Sequence, residues 1–342
     1  MRRTIGLVLI ALGVFAVTFG LFLRFYSYPQ LAKLPLDVNK NAVDSGTATD
    51  VLEVGDGGAN LQIRHGVPLT TTAHIEGNLL APDAKPNGDI AVWHDNGRTT
   101  DDQGNVVSAY NRQVCLNRST GAEATGCQRT EQFYSNAQDA HGRDIVDYVA
   151  PQGQVYTFPF GTGKHDYLAY DVGAQRATEA HYAGTTSIDG LNVYKFTQVV
   201  PDIEVQAEQV PGSLVGLPEQ SSVDVAMYYH NTRTLWVEPA TGTTVQDEEQ
   251  PHQEMRVING NVAPTVIFNA TMSLTPASVQ SNVDSARAGA AGMGLLSLTA
   301  PLALGIGGVV IVLGGVAVLV VRRRRPVGRS TETVPISVSP TP

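Results

Sequence analysis

The chain has 342 residues, 42% of them hydrophobic and 16% charged, and it carries a formal net charge of −9. This acidic balance argues against a nucleic-acid partner, because a phosphate backbone attracts basic surfaces. The two cysteines lack the additional soft ligands nearby that a metal site would need.

The first predicted element is a membrane helix. Two arginines precede a charge-free apolar run at residues 4–23, which is long enough to cross a hydrocarbon core of about 30 Å. The run is longer than the apolar core of a signal peptide, and no small-residue cleavage site follows it. We therefore predict a retained transmembrane helix at residues 5–24, with residues 1–4 in the cytoplasm. Cleavage as a signal peptide is the alternative.

Residues 25–274 are predicted to form an extracytoplasmic, β-rich domain. Alternating and β-branched residues at 193–199 and 235–237 are typical of strands. Asn-Gly at 96–97 and Asp-Gly at 189–190 are typical of two-residue hairpin turns. The predicted fold class is mainly β within an α+β chain, with a curved antiparallel sheet that encloses an apolar cavity between two transmembrane helices.

A short pattern occurs twice, at residues 114–121 and 235–242. Each copy has strand residues, a polar position and a closing Thr-Gly, which indicates a strand ending in a turn with glycine at positive φ. Common hairpin chemistry and a meandering antiparallel sheet both explain the repetition.

The two cysteines, Cys115 and Cys127, flank a turn that contains Ser119-Thr120-Gly121. Outside the cell a local disulfide is expected there, because that compartment permits oxidation. Closing a loop of this size stabilises a fold by about 3 kcal/mol.

The densest motif is YTFPFGTGKHDY at residues 156–167, followed by Tyr-Asp at 170–171, YAG at 182–184 and DGLNVYKF at 189–196. With the layout of anchor, exterior domain and anchor, these motifs resemble the actinobacterial DUF3068 family, also called the porin PorA family. The resemblance extends from the first apolar run to the second. It implies an envelope protein of mycolate-bearing or related actinobacteria, where some members are linked to lipomannan and lipoarabinomannan assembly. A membrane β-barrel is not expected, because one exterior domain between two apolar helices lacks alternating lipid-facing strands.

Aromatic side chains surround one lysine in this motif. We predict that they form the wall or rim of a cavity for a lipid or polyprenyl group, with the lysine at its mouth. The candidate ligand-binding residues are Phe158, Phe160, Lys164, Tyr167 and Tyr170. The alternative is that the aromatic residues belong to the core.

The search for chemistry predicts no catalytic residue, no metal site and no cofactor. The eight histidines are scattered without an H-E-x-x-H context, and no G-x-S-x-G elbow occurs. The oxygen-rich stretch at 101–105 lacks EF-hand spacing and is interpreted as a solvated turn. Glu248 and Glu249, beside His252, are interpreted as an exposed polar stretch rather than an acid/base pair.

The second membrane helix is predicted at residues 293–321, within an apolar run over 288–321. A Thr-Pro start opens a juxtamembrane helix at 275–292 that leads into it. The glycines of this run form no clean GxxxG register, so it is interpreted as a plain lipid-facing anchor. Arginines then open a basic, disordered tail at 322–342. Positive flanks outside both runs place both termini in the cytoplasm and the domain over 25–274 outside the cell membrane.

The favoured function is a non-enzymatic envelope module that binds or presents a lipid or a lipid-linked glycan during lipoglycan assembly. Its expected partners are a membrane lipid or polyprenyl-linked glycan and, in addition, envelope glycosyltransferases. A scaffolding membrane protein is the main alternative. A porin and a glycan-processing enzyme are further alternatives, and the enzyme would need paired carboxylates in a cleft.

Overall fold

The computed structural model describes residues 2–54, 61–124, 127, 131–138, 144–149 and 152–321, with the backbone alone at 54, 131–138 and 144–149. The chain forms two compact units. One contains the chain up to Tyr26 and from Leu298 onward, and the other runs from Ser27 to Ser297. The predicted cytoplasmic tail, residues 322–342, lies outside the described residues.

The first unit is a pair of apolar helices. Helix α1 is Arg2–Phe22 and helix α4 is Ala300–Val320. Helical segments Arg2–Leu31 and Pro276–Val320 are both long and apolar enough to cross a membrane. They correspond to the two runs that the hydropathy of the sequence singles out.

The two helices pack against each other through glycines that are spaced seven residues apart. Gly6, Gly13 and Gly20 are the buried residues of α1, and Gly308 and Gly315 are those of α4. A Cβ added to Gly308 would lie 2.6 Å from the carbonyl oxygen of Gly13, so no larger residue fits at this crossing. The interpretation of the second run as a plain lipid-facing anchor was therefore wrong. The sequence was searched for a GxxxG pattern, whereas the glycines that contact the antiparallel partner helix are spaced seven residues apart.

The second unit is built from antiparallel strands and short helices. Its helices are α2 Tyr28–Leu31 and α3 Pro276–Gly294, with a 3₁₀ turn at Gly212–Val215. Its strands are β1 Asn39–Val54, β2 Leu61–Gly77, β3 Ile90–Asp101, β4 Val106–Asn117, β5 Glu131–Gln138, β6 Asp144–Val149, β7 Tyr167–Asp171, β8 Arg176–Ile188, β9 Leu191–Val210, β10 Val223–Val237, β11 Thr244–Glu249, β12 His252–Val257 and β13 Thr265–Leu274. The mainly β prediction is confirmed.

All strands belong to one sheet in the order β6-β5-β4-β3-β2-β1-β13-β11-β10-β9-β8-β7. Strand β12 also pairs with β10 and β13, so β11 and β12 occupy the same position one after the other. Every pair of named strands is antiparallel, as hairpin connections require.

A short segment closes this sheet into a barrel. We call residues 152–163 the strap. Gln154 forms a bridge to Ala169 of β7 on one side and to Ala122, just beyond β4, on the other. The backbone of Gln154 accepts from Tyr170 and donates to Leu168, both at 2.8 Å. The two flanks of the sheet thereby meet through the strap.

The predicted hairpin turns have different outcomes. Asp189 and Gly190 have φ values of 47° and 79° and join β8 to β9, as expected. Asn96 and Gly97 lie instead in the middle of β3. Glycine is required at position 97 because the ring of Tyr110, from the paired strand β4, occupies the space where a Cβ would project.

The predicted disulfide is confirmed, with the Cα atoms of Cys115 and Cys127 6.4 Å apart. It packs in a small cluster with Val92 and Ala124. Helix α3 also begins as predicted, since the Thr275 side chain accepts a hydrogen bond from the backbone N–H of Ser278 and Pro276 occupies the first turn.

The glycine contact between α1 and α4 gives the first prediction. Replacing Gly308 with leucine should force the helices apart, because overpacking a close contact costs about 1–3 kcal/mol. Spin labels at Thr4 and Val320 of the detergent-solubilised chain should then give a longer and broader distance distribution. Gly307→Leu is the matched control, since an added Cβ there meets nothing within 4 Å. Equal distributions for the two variants would contradict the packing.

Candidate functional site

The barrel contains a cavity of about 440 Å³, within the range of roughly 300–1,000 Å³ that is usual for small-molecule sites. Most strands contribute alternate residues to its lining, as the two-residue period of a strand demands. On β1 the lining residues are Lys40, Asn41, Ala42 and Asp44, and β7 contributes the adjacent Ala169 and Tyr170. Strands β2, β3, β4, β7, β10, β11 and β13 and the strap supply the rest of the wall.

Small residues leave the space open. Ala42 on β1 is paired with Ala73 on β2, and Ala73 with Gly97 on β3. Directly opposite residues of an antiparallel pair project from the same face, so this row lacks bulk on β1 and β2, while the Tyr110 ring covers Gly97 on β3. Trp93 and Phe268 contribute large apolar surfaces elsewhere in the wall.

The strap packs against two turns that have the same backbone geometry. Gly121 and Gly242, with φ values of 72° and 73°, donate backbone hydrogen bonds of 2.9 Å to Asn117 and Glu238 respectively. A Cβ on either glycine would collide with the strap backbone. Gly121 and Gly242 are the last residues of the two copies of the repeated sequence pattern. The repeated pattern therefore corresponds to the two turns that contact the strap.

The FPFGTGK motif forms this contact. Phe158 donates its N–H to the carbonyl of Gly242, and Thr162 donates to that of Pro239, both at 2.8 Å. Gly161 has a φ of 74°, which favours glycine. The motif is thereby explained as the part of the strap that binds the second turn.

The structure separates the five candidate ligand-binding residues. Phe158 and Tyr170 line the cavity. Phe160 packs against the cluster that contains Leu34 and Trp93, and Tyr167 packs edge-on against Phe158 and Phe196. Lys164 is exposed, with its Nζ atom 5.3 Å from the centre of the Tyr194 ring. The last three therefore lie outside the cavity lining.

The cavity is not purely apolar, which differs from the prediction. Asp95 and Arg112 form a buried ion pair on one wall, with Arg112 Nη2 2.7 Å from Asp95 Oδ2. Tyr110 donates its hydroxyl to the same carboxylate at 3.3 Å, and burial together with Asp95 raises the pKa of Tyr110. Paired in this way, the charges of this wall are compensated within the protein.

A second ion pair lies on the opposite side of the barrel. Arg233 Nε donates to Glu249 Oε1 at 2.8 Å, and Arg233 Nη1 donates to the backbone carbonyl of Tyr170 at 3.2 Å. Burial opposes the charge of Arg233, but Glu249 and the nearby Asp171 and Asp247 outweigh it and raise the pKa of the guanidinium.

Asp44, Asp247 and Glu249 form what we call the acidic cluster. Burial, followed by the charge of Glu249, raises the pKa of Asp44 to about 6. Burial, Glu249 and Asp44 raise the pKa of Asp247 to about 7. Within the described part of the chain, Asp247 Oδ1 is buried without a hydrogen-bond partner, which suits a carboxyl group that keeps its proton.

Lys40 lies on the same strand as Asp44, four residues away, at a distance of about 13 Å along an extended chain. Lys40 is an exposed residue, but desolvation of its ammonium group by the surrounding protein lowers the pKa of that group. Among the residues that the structure describes, no carboxylate forms an ion pair with Lys40. The cavity therefore offers a positive group at one end and carboxyl groups at the other.

Sequence reasoning missed most of these charged residues. Glu248 and Glu249 were interpreted as an exposed polar stretch, but Glu249 lines the cavity and binds Arg233. The usable signal was the alternation of polar and small residues at Lys40, Ala42 and Asp44, which places charge and open space on one face of a strand.

One surface group has spacing that could hold a cation. The ligand atoms of Asp166, Glu179 and His181 lie within 4.8 Å of one another, a grouping that the sequence did not reveal. All three are exposed, and Asp166 already accepts hydrogen bonds of 2.8 Å from His181 and from the N–H of Tyr182. Surface ion pairing accounts for this arrangement.

Comparison with known proteins finds a consistent family. A sequence profile described as Porin PorA matches residues 5–317. A Porin PorA of Corynebacterium resistens is 24% identical over 408 aligned positions, covering 95% of this chain and 98% of the relative. A Porin PorA of Corynebacterium amycolatum is 24% identical over 306 positions, covering 73% and 77%. A solved structure described as a putative MaoC domain protein dehydratase from Chloroflexus aurantiacus matches 77% of this chain and 80% of its own chain at 12% identity, with a TM-score of 0.13.

The acidic cluster predicts a pH-dependent stability. Because the pKa of Asp247 is raised to about 7, the folded chain holds a proton that the unfolded chain loses above about pH 4. The free energy of unfolding should therefore fall as the pH rises from 4 through 7. Asp247→Asn should remove the part of this loss that Asp247 causes and be more stable than the native chain at pH 8 by roughly 1–3 kcal/mol, with little difference at pH 4.

Thermal unfolding followed by tryptophan fluorescence at both pH values measures this effect. Asp37→Asn, at an exposed position, is the control and should behave like the native chain at both pH values. An Asp247→Asn variant with the same pH slope as the native chain would show that Asp247 ionises normally.

Proposed function

The chain belongs to the Porin PorA family, and from this premise we propose that it is a membrane-anchored envelope protein whose barrel binds or presents a lipid or a lipid-linked glycan. The observation that carries the proposal is the cavity, which joins apolar walls to separate positive and acidic ends. A scaffold would need no such space.

The chemistry of the lining suits an amphipathic ligand. Trp93 and Phe268 offer apolar contact, where burial contributes about 25 cal/mol per Å² before ordering costs. Lys40 offers a positive charge to an acidic head group. The acidic cluster offers acceptors, and protonated carboxyls offer donors, to the hydroxyl groups of a glycan.

The outer face of the barrel favours an aqueous location for this domain. The residues that alternate with the cavity lining on β2 are Thr70, Thr72, His74 and Glu76, and those on β3 are His94, Asn96, Arg98 and Thr100. A membrane-spanning barrel presents an apolar band to lipid instead. We therefore place the two apolar helices in the bilayer and the barrel outside, with both termini in the cytoplasm as the flanking arginines indicate.

A glycan-processing enzyme is the second candidate, because carboxyl groups with raised pKa values in a cavity are typical of acid/base sites. One observation favours binding over catalysis: Glu249 is already engaged by Arg233 in an ion pair. Incubation with a polyprenyl-linked glycan, followed by mass spectrometry of the products, separates the two, since only an enzyme gives cleavage that Asp247→Asn abolishes.

Filling the cavity should displace the ligand. Native mass spectrometry of the full chain in mild detergent should detect a bound lipid or glycolipid. Ala73→Phe places a ring in the cavity and should lower its occupancy about tenfold or more, a change of about 1.4 kcal/mol. Thr72→Phe, the outward-facing neighbour on β2, is the matched control and should retain the ligand.

Ala42→Leu, a smaller obstruction on β1, repeats the test in case the Ala73 variant fails to fold. The proposal would be contradicted if no molecule copurified with the native chain, or if folded Ala73→Phe and Thr72→Phe variants had equal occupancy. Either result would favour the scaffold interpretation.

The orientation can be measured in intact cells. The native cysteines are bonded to each other, so an introduced cysteine can be labelled selectively. A membrane-impermeant maleimide should label Glu219→Cys, at an exposed site of the barrel domain, without lysis. It should label Ser330→Cys, in the tail, only after lysis. Labelling of the tail in intact cells would contradict the two-pass orientation.

A further inference from the structure

Among the described residues of the barrel domain, the most exposed large apolar side chain lies on a connection between two strands. We call residues 78–89, between β2 and β3, the leucine loop. Leu80 is 96% exposed and the adjacent Leu79 is 57% exposed. Pro82 and Lys85 on the same loop are also exposed. A pair of adjacent leucines in water is unfavourable unless another apolar phase covers them.

The loop is ordered rather than loosely extended. Asn78 accepts hydrogen bonds from the N–H groups of Leu80 and Ala81, at 3.2 Å and 3.3 Å. Ala84 donates to Ala81 at 3.1 Å, and Gly88 donates to Lys85 at 2.9 Å. These turns fix the backbone of the loop while Leu79 and Leu80 remain exposed.

The disulfide braces the inner side of this loop. Ala81 and Ala84 pack against the cluster formed by Val92, Cys115 and Ala124, which Cys127 also contacts. The small side chains of the loop therefore face the protein, and the large ones do not. Such a division is typical of a segment with a second apolar environment on its outer side.

The residues that follow the first apolar segment hold the loop directly. That segment ends at Leu31. Two residues further on, Lys33 forms an ion pair of 2.9 Å with Asp89 of the loop. Arg118 joins both parts, because its Nε donates to Leu34 at 2.7 Å and its Nη1 donates to Gly88 at 3.1 Å.

We propose that the leucine loop inserts Leu79 and Leu80 into the surface of a lipid bilayer, with Lys85 meeting the head groups. Two observations support a lipid surface over a protein partner. The loop is tied within a few residues to a segment that is apolar enough to span a membrane. It also combines exposed leucine with lysine, a composition that suits the boundary between head groups and acyl chains.

Spin labelling of the full chain in lipid nanodiscs tests the proposal. The nanodiscs contain phosphatidylcholine and phosphatidylglycerol. A nitroxide attached to Leu80→Cys should show a ratio of oxygen accessibility to nickel-chelate accessibility that is several-fold higher than the ratio of a label exposed to water. The reason is that oxygen partitions into the bilayer and the chelate does not. Labels on Val106→Cys and Ile258→Cys, at 46% and 44% exposed apolar positions beside other turns, are the matched controls and should keep the ratio of an aqueous site.

Two results would overturn the proposal. An aqueous ratio at position 80, equal to that at 106 and 258, would show that the loop stays in water. A label at position 80 that neither oxygen nor the nickel chelate can reach would show that a protein surface covers the loop.

The role of the disulfide in bracing the loop can be tested with the same label. Replacing Cys115 and Cys127 with alanine should increase the mobility of the label at position 80 and lower its accessibility ratio, while the labels at 106 and 258 remain unchanged. An unchanged ratio at position 80 in this variant would show that the loop does not depend on the disulfide.

Discussion

The hydrogen bonds that the strap forms with β7 on one side, together with its bridge to Ala122 beyond β4 on the other, convert an open antiparallel sheet into a closed one. An open sheet of this length would expose two edges of unpaired backbone groups. Closure through Gln154 pairs the edge of β7. It also gives the inward-facing residues of eight strands a common interior, so their volumes and charges become interdependent. The small residues Ala42 and Ala73 then determine where the space remains, whereas the Tyr110 ring fills the space above Gly97.

Charge in that interior is tolerated because most of it is paired across neighbouring strands. Asp95 meets Arg112 on the adjacent strand β4, and Arg233 meets Glu249 on the adjacent strand β11. A buried ion pair contributes little net stability, yet loss of one partner leaves an expensive isolated charge. The register of these strands is therefore constrained by electrostatics as well as by packing. Lys40, Asp44 and Asp247 are the lining charges without such a neighbour among the described residues, and they define the two polar ends of the cavity.

Local patterns in the sequence were sufficient for elements that depend on nearby residues. The cap at Thr275, the turn at Asp189-Gly190 and the disulfide each involve short-range chemistry, and each was predicted. Asn96-Gly97 has the composition of a turn but lies within β3, because the ring of Tyr110 on β4 needs the space above Gly97. The cavity lining was predicted only at Phe158 and Tyr170. The other lining residues come from strands far apart in the chain, and only closure of the sheet brings them together.

The acidic cluster lies where the barrel has its shortest strand contact. Strand β11 pairs with β13 only at Glu248 with Ser273 and at Glu249 with Met272, whereas β1 pairs with β2 along most of its length. Repulsion among the ionised carboxylates of the acidic cluster would act across this short contact. Burial and then the charge of Glu249 raise the pKa of both Asp44 and Asp247, and the charge of Asp44 raises the pKa of Asp247 further. Protonation of these carboxyls relieves the same repulsion. Their protonation and the integrity of the β11–β13 contact are therefore linked.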